Sequence, residues 1–178
     1  MPSSVGHGLA AIAAGWIVAP PAGTRRAFLM QAGTLALLGA APDLDLLIGR
    51  HSQETHSLGA AAIVATAAAI WRWPVSPVDP SRSRIWLAAF LAWATHPLLD
   101  ALSPDTLAPI GVMAFWPLSR EHYITGWNVF LPISRHCCSW RMVRHDTWAM
   151  VRETLTIAPL VWLLWALRRR PRSSAGSS

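Results

Sequence analysis

The chain has 178 residues, enough for one domain, with 53% hydrophobic residues, 13% charged residues and a formal net charge of +6. A soluble domain carries about 25% charged residues, so this surface cannot all face water. Every basic residue is arginine, and the arginines fall between apolar runs and at the C-terminus; that distribution argues against specific nucleic-acid binding and, with 11 Trp, for a protein with two membrane–water interfaces.

Five apolar runs follow one another, at about residues 8–22, 27–41, 57–73, 85–102 and 154–167. Crossing a bilayer takes about 20 apolar residues, with a lower limit near 17. The third and fourth runs reach that limit; the others are short and Ala-rich, and would thin the bilayer or draw on flanking residues. Arg25 is the first positive charge and follows the first run, which is not the order of a signal peptide. Pro42 reads as a stop after the second run, and Thr55 or Ser57 as the cap of the third. Pro74, Pro77 and Pro80 make residues 73–84 a loop. In the long stretch 103–153, Trp140, Val143, Trp148 and Val151 alternate with Arg141, Arg144 and Arg152 as in an interfacial amphipathic helix. Cys137 and Cys138 are adjacent, without zinc-ligand spacing, and read as packing residues. The expected fold is an all-α integral membrane bundle of about five apolar helices, with one membrane-embedded domain over residues 1–170 and a disordered basic, Ser-rich tail at 171–178.

The polar residues converge. His7 starts the first run, Asp43 and Asp45 end the second, His51 and His56 precede the third, and His96 and Asp100 lie near the end of the fourth. If each run crosses once, all seven arrive at one face. The opposite face then holds nine arginines against one acidic residue, and the site face six against eight. Arginine in short loops sets orientation. The site is therefore expected to face outward from a bacterial-type cytoplasmic membrane in a multi-pass protein, with the C-terminus in the cytoplasm.

His96 and Asp100, four apart on a helix, point the same way. An ionisable side chain costs about 2.5–3.5 kcal/mol at the bilayer centre, less near an end, so two on one face suggest a shared partner. Pro97 frees the carbonyl of Trp93 beside them. Imidazoles and carboxylates together suit zinc or manganese, and a cluster this large suits one to three divalent ions. No Ser-His-Asp elbow, Gly-rich phosphate loop or zinc-finger Cys pattern is present, which leaves metal-activated water as the natural nucleophile of an enzyme.

The ordered motifs His7, Pro42-Asp43-Leu44-Asp45, His51-x4-Thr55-His56-Ser57 and His96-x3-Asp100, followed by Phe115-Trp116-Pro117-Leu118-Ser119, resemble the YdjM-like, LexA-regulated family of membrane-bound metal-dependent hydrolases. The resemblance covers most of residues 5–125. Where that family often has His-Arg-Gly, this chain has His51-Ser52-Gln53 and keeps only the imidazole. The family is distantly similar to zinc phospholipase C and the fungal single-strand nucleases. That similarity implies Asp43, His56, His96 and Asp100 as metal ligands, with His7, Asp45 and His51 as further ligands or supports behind them. The expected function is hydrolysis of phosphoesters, phospholipid or nucleotide-like. Asp45 or His51 would take a proton, and Arg50 and Arg120 would hold a small anionic or phospholipid substrate. The alternative is a non-enzymatic membrane protein that binds, senses or transports a metal ion.

Overall fold

Local signals set the helix ends. In the computed structural model, which describes residues 1–105, 108–134 and 139–169, helix α1 (Ser4–Val18) starts where the Ser3 hydroxyl accepts a hydrogen bond from the Gly6 N–H. Helix α2 (Arg25–Ala40) starts at Thr24 in the same way. At Ala41 and Pro42 the chain tightens into a 3-10 segment, Ala41–Ile48, which ends at Gly49 in the left-handed region (φ +67°). A 3-10 turn, Glu54–His56, leads to α3 (Leu58–Ile70). Of the two candidate caps Ser57 is used, its hydroxyl accepting from Ala60 N–H at 3.0 Å. Helix α4 (Arg82–Ala101) runs unbroken through Pro97, and the prolines of the preceding stretch form a loop.

The last helix differs from expectation. The amphipathic stretch and the fifth apolar run are one helix, α5 (Trp140–Arg168), capped by Ser139. No Gly or Pro separates the two stretches, so nothing stops the hydrogen-bond ladder between them. Between α4 and α5 the chain is irregular, with one isolated antiparallel bridge, Val112 to Tyr123, and no strand among the described residues.

Small residues let the helices approach closely. Helix α1 packs on α2, α4 and α5, and α3 packs on α4. Gly15 faces Leu35, and Gly39 lies against Ala11 and the His7 carbonyl, where no side chain would fit. Ala61, Ala65 and Ala68 of α3 and Ala88, Ala89 and Ala92 of α4 are fully buried. The outer faces are apolar too: Leu37, Ile63, Leu155, Trp162 and Leu167 are all exposed. An apolar exterior around an Ala-rich interior is what a lipid environment selects.

Buried polar groups clamp the helix ends. The Glu153 carboxylate accepts from Ser3 N–H at 2.9 and 3.0 Å and from the Ser3 hydroxyl at 2.5 Å. Arg168 donates to the carbonyls of Trp16 and Ile17 at the other end of α1. Helices α1 and α5 therefore run parallel. The buried Gln31 side chain donates to the carbonyls of Ala19, Pro20 and Val75 and accepts from Ala22 N–H, tying two loops together far from Glu153.

Five helices form, and two helical stretches are long and apolar enough to cross a membrane: Arg25–Ile48, with 24 residues, and Trp140–Arg168, with 29. Helix α3 has 13 residues, or about 20 Å, against a hydrocarbon core of about 30 Å. It is short because Ser57 caps it at the first position of the third apolar run and the helix ends at Ile70, three positions before the run does. The tail at 171–178 and the pair Cys137 and Cys138 lie outside the described residues.

Candidate metal centre

The seven converging residues meet at one end of the bundle. His7 comes from the start of α1, Asp43 and Asp45 from the 3-10 segment Ala41–Ile48, His51 and His56 from the link to α3, and His96 and Asp100 from the end of α4. His7, His56 and His96 are fully buried, and Asp45 and Asp100 nearly so.

The hydrogen-bond pattern assigns the imidazole tautomers. His96 Nδ1 lies 2.6 Å from the Gly39 carbonyl, which can only accept, so Nδ1 carries the hydrogen. His56 Nδ1 lies 3.1 Å from Asp45 Oδ2, again an acceptor. In both neutral rings the lone pair therefore sits on Nε2, and these two Nε2 atoms face each other at 3.0 Å. Two lone pairs at that distance repel unless a cation or proton lies between them. Burial disfavours charge on His56, but the neighbouring carboxylates of Asp43 and Asp45 outweigh that and raise its pKa above the ordinary value. The surroundings of the facing nitrogens thus favour positive charge.

Two carboxylates complete the set. Asp43 Oδ1 lies 3.4 Å from His96 Nε2 and 3.8 Å from His56 Nε2. Asp100 Oδ2 lies 3.3 and 3.4 Å from the same two atoms. A tetrahedron with metal–ligand bonds of about 2.0–2.2 Å has edges of about 3.3–3.6 Å. The separations here, 3.0 to 3.8 Å, straddle that edge length. Both Asp100 oxygens and both His7 nitrogens are buried without a hydrogen-bond partner among the described residues. Such orphaned atoms cost about 1–3 kcal/mol each unless something satisfies them. His7 stacks on His96 with ring centroids 3.7 Å apart, and its Nε2 is 3.3 Å from Asp100 Oδ1. Three overlapping groups could hold a metal ion: His7, His96 and Asp100; Asp43, His56 and His96; and Asp45, His51 and His56. The residues fit a small divalent cation.

A family model for the YdjM inner membrane protein matches residues 1–173. The chain belongs to the YdjM inner membrane protein family. No curated protein and no solved structure matches this YdjM-family chain.

Behind the facing nitrogens, the YdjM-family chain builds a polar support. Asp45 bridges two imidazoles, with Oδ1 3.0 Å from His51 Nδ1 and Oδ2 3.1 Å from His56 Nδ1. The Thr55 hydroxyl donates to Asp45 Oδ2 at 2.6 Å, and Trp93 Nε1 donates to the Thr55 carbonyl at 2.9 Å. His51 is partly exposed and meets the Met1 thioether through Nε2 at 2.7 Å. Ser52 makes the turn with φ +64° and accepts from Met113 N–H at 3.1 Å. The Phe115-Trp116-Pro117-Leu118-Ser119 segment thereby lies over the start of α3, where Gly59 meets the Trp116 carbonyl.

Two candidates lie apart from this cluster. Arg50 is exposed and donates to Glu54 Oε1 at 2.6 Å and to Gln53. Arg120 is exposed beyond the segment that covers α3. Sequence reasoning missed Gly39 and the Thr55 hydroxyl. Thr55 stands inside the Thr-His-Ser motif and was open to detection there; nothing in the sequence marks a backbone carbonyl such as that of Gly39.

Proposed function

We propose that this protein is a membrane-bound metal-dependent hydrolase of phosphoesters. The observation that carries this reading is the pair of imidazole Nε2 atoms facing each other at 3.0 Å, flanked by the Asp43 and Asp100 carboxylates. Asp43, His56, His96 and Asp100 would hold the first ion, of the zinc or manganese class, and His7 would add a ligand to it or to a second ion through Asp100. Bound there, such an ion lowers the pKa of water to about 7 and draws charge from an ester oxygen.

The chain's own groups supply the proton handling. Asp45 fixes His51 through Nδ1, and Nε2 lies on the pocket side against the Met1 thioether, which would move aside when this imidazole exchanges protons. In hydrolysis a water oxygen bonds to phosphorus, the ester P–O bond breaks, and the leaving alcohol gains a proton. His51 accepts the proton from water and returns it to the leaving oxygen. Arg50, once released from Glu54, and Arg120 are candidate contacts for the anionic group.

A metal carrier would need polar groups through the bundle. Below the site the core is instead filled by Ala11, Leu35, Ala61, Ala65, Ala88 and Ala92, which favours chemistry at one end. On this reading the five helices form a multi-pass bundle with the site outward and the C-terminus cytoplasmic. The test is metal analysis of protein purified in detergent, paired with hydrolysis of bis(p-nitrophenyl) phosphate and of phospholipids. Metal bound in near-stoichiometric amount, with activity lost to chelator and restored by zinc or manganese, is the expected result. Wild-type protein that binds no metal overturns the reading.

A further inference from the structure

We propose that the pocket beside Asp43 and His51 takes the hydrocarbon chain of a lipid phosphoester, so that the substrate reaches the site from within the bilayer. This rests on the hydrolase reading and narrows its substrate to membrane amphiphiles.

The pocket has a volume of about 560 Å³, within the range of small-molecule sites. Asp43 and His51 line it together with Ser3, Ser4 and Ser134, and its apolar walls include Val5, Leu46, Ile133 and Met150. Asp43 is the most open carboxylate of the cluster, with its side chain 22% exposed against 2% for Asp45 and 0% for Asp100. A substrate that arrives through this pocket therefore meets the centre at Asp43 and the proton-exchanging imidazole at His51.

Leu46 belongs to the apolar stretch Arg25–Ile48 and Met150 to Trp140–Arg168, the two stretches with the length and apolarity of a membrane span. The pocket thus opens between elements suited to lipid. Beside it the 3-10 segment turns Leu44, Leu47 and Ile48 outward, at 64%, 83% and 72% exposure. A water-soluble phosphoester would leave these walls without a partner. A lipid ester places its phosphate beside His51 and the ion that Asp43 would hold, and its chain along Val5, Leu46 and Met150, matching polar to polar and apolar to apolar.

The first arm of the test uses full-length protein in nanodiscs, treated with chelator, and a phosphatidic acid with a diazirine in its acyl chain. After photolysis, mass spectrometry should find label on the segments containing Leu46 and Met150. Excess dodecyl phosphate should suppress that label, whereas inorganic phosphate should not, and Met150→Trp, which fills the pocket, should reduce it. Equal label at Leu37, Ile63 and Trp162, unchanged by competitor or variant, would overturn the proposal. The second arm uses metal-loaded protein. Met150→Trp should lower kcat/KM for dioctanoyl phosphatidic acid about tenfold more than for bis(p-nitrophenyl) phosphate, because only the lipid loses buried chain. Cleavage of the soluble diester with no preference for a chain overturns the lipid proposal and leaves the hydrolase standing. Pocket labelling with no cleavage of either ester supports the chain site and overturns the hydrolase reading.

Discussion

His56 and His96 act as a pair because each has its Nδ1 hydrogen taken up by an oxygen, Asp45 Oδ2 in one case and the Gly39 carbonyl in the other. That leaves two Nε2 lone pairs for one cation, and it separates the roles of neighbouring residues. His96→Ala removes a donor and the tautomer-fixing bond together; metal binding measured by calorimetry should be lost while the helical circular dichroism stays. Asp45→Asn acts one bond further out, by loosening His56 and His51, and should weaken metal affinity about 10–100-fold without abolishing it. If Asp45→Asn and His96→Ala behaved alike, Asp45 would be a ligand and not a support. Wild type should also lose thermal stability in detergent on adding chelator, since saturation at about 100 times Kd contributes about 2.7 kcal/mol. An unchanged melting temperature and metal content would remove the metal centre. The residues of the cluster are legible in the sequence because ionisable side chains in apolar runs are costly. Which nitrogen faces which oxygen is not, because ring orientation depends on contacts from other helices.

At the scale of elements, the site depends on how closely α1, α2 and α4 approach. Gly39 carries both the carbonyl that orients His96 and the bare Cα against which Ala11 and the His7 carbonyl rest. A Cβ at Gly39 would stand 2.6 Å from the His7 oxygen, so Gly39→Ala should separate α1 from α2. The expected cost is about 1–3 kcal/mol, read as a lower melting temperature, together with weaker metal binding. The same substitution at Gly33, where nothing lies within 4 Å, serves as the control and should be neutral or slightly stabilising. Glu153 ties α5 to the N-cap of α1 at Ser3, four residues before His7. Glu153→Leu leaves the Ser3 N–H and hydroxyl without their acceptor and should cost about 2–3 kcal/mol; Glu153→Gln, which keeps one acceptor oxygen, should cost less. Helices α2, α3 and α4 are read correctly from apolar runs and prolines. Helix α5 is not, because a change from amphipathic to apolar composition changes what a helix faces without breaking it.

For the whole molecule, the arginines are sorted by end. Arg25, Arg26, Arg72, Arg82, Arg84 and Arg168 belong to the end remote from the histidines, where Gln31 ties the loops and Arg84 pairs with Asp79 at 2.9 Å. On the proposed multi-pass reading, the arginine bias of short loops assigns that end to the cytoplasm. In a Cys137→Ser, Cys138→Ser background, a cysteine replacing Asp79 and one added after Ser178 should therefore both be blocked only by membrane-permeant reagents. Labelling of the two from opposite sides would exclude the five-span arrangement.

The all-helical class, the membrane environment and the identity of the converging residues can be read from the order of amino acids alone, because an apolar chain satisfies its backbone in helices and ionisable groups within it must find partners. Packing between distant parts of the chain fixes which atoms face each other, sets Asp45 behind the histidines, and opens an apolar pocket toward Asp43 and His51. His56 and His96 stand 40 positions apart, and the pocket joins Asp43 to Met150; such separations close only when the helices pack.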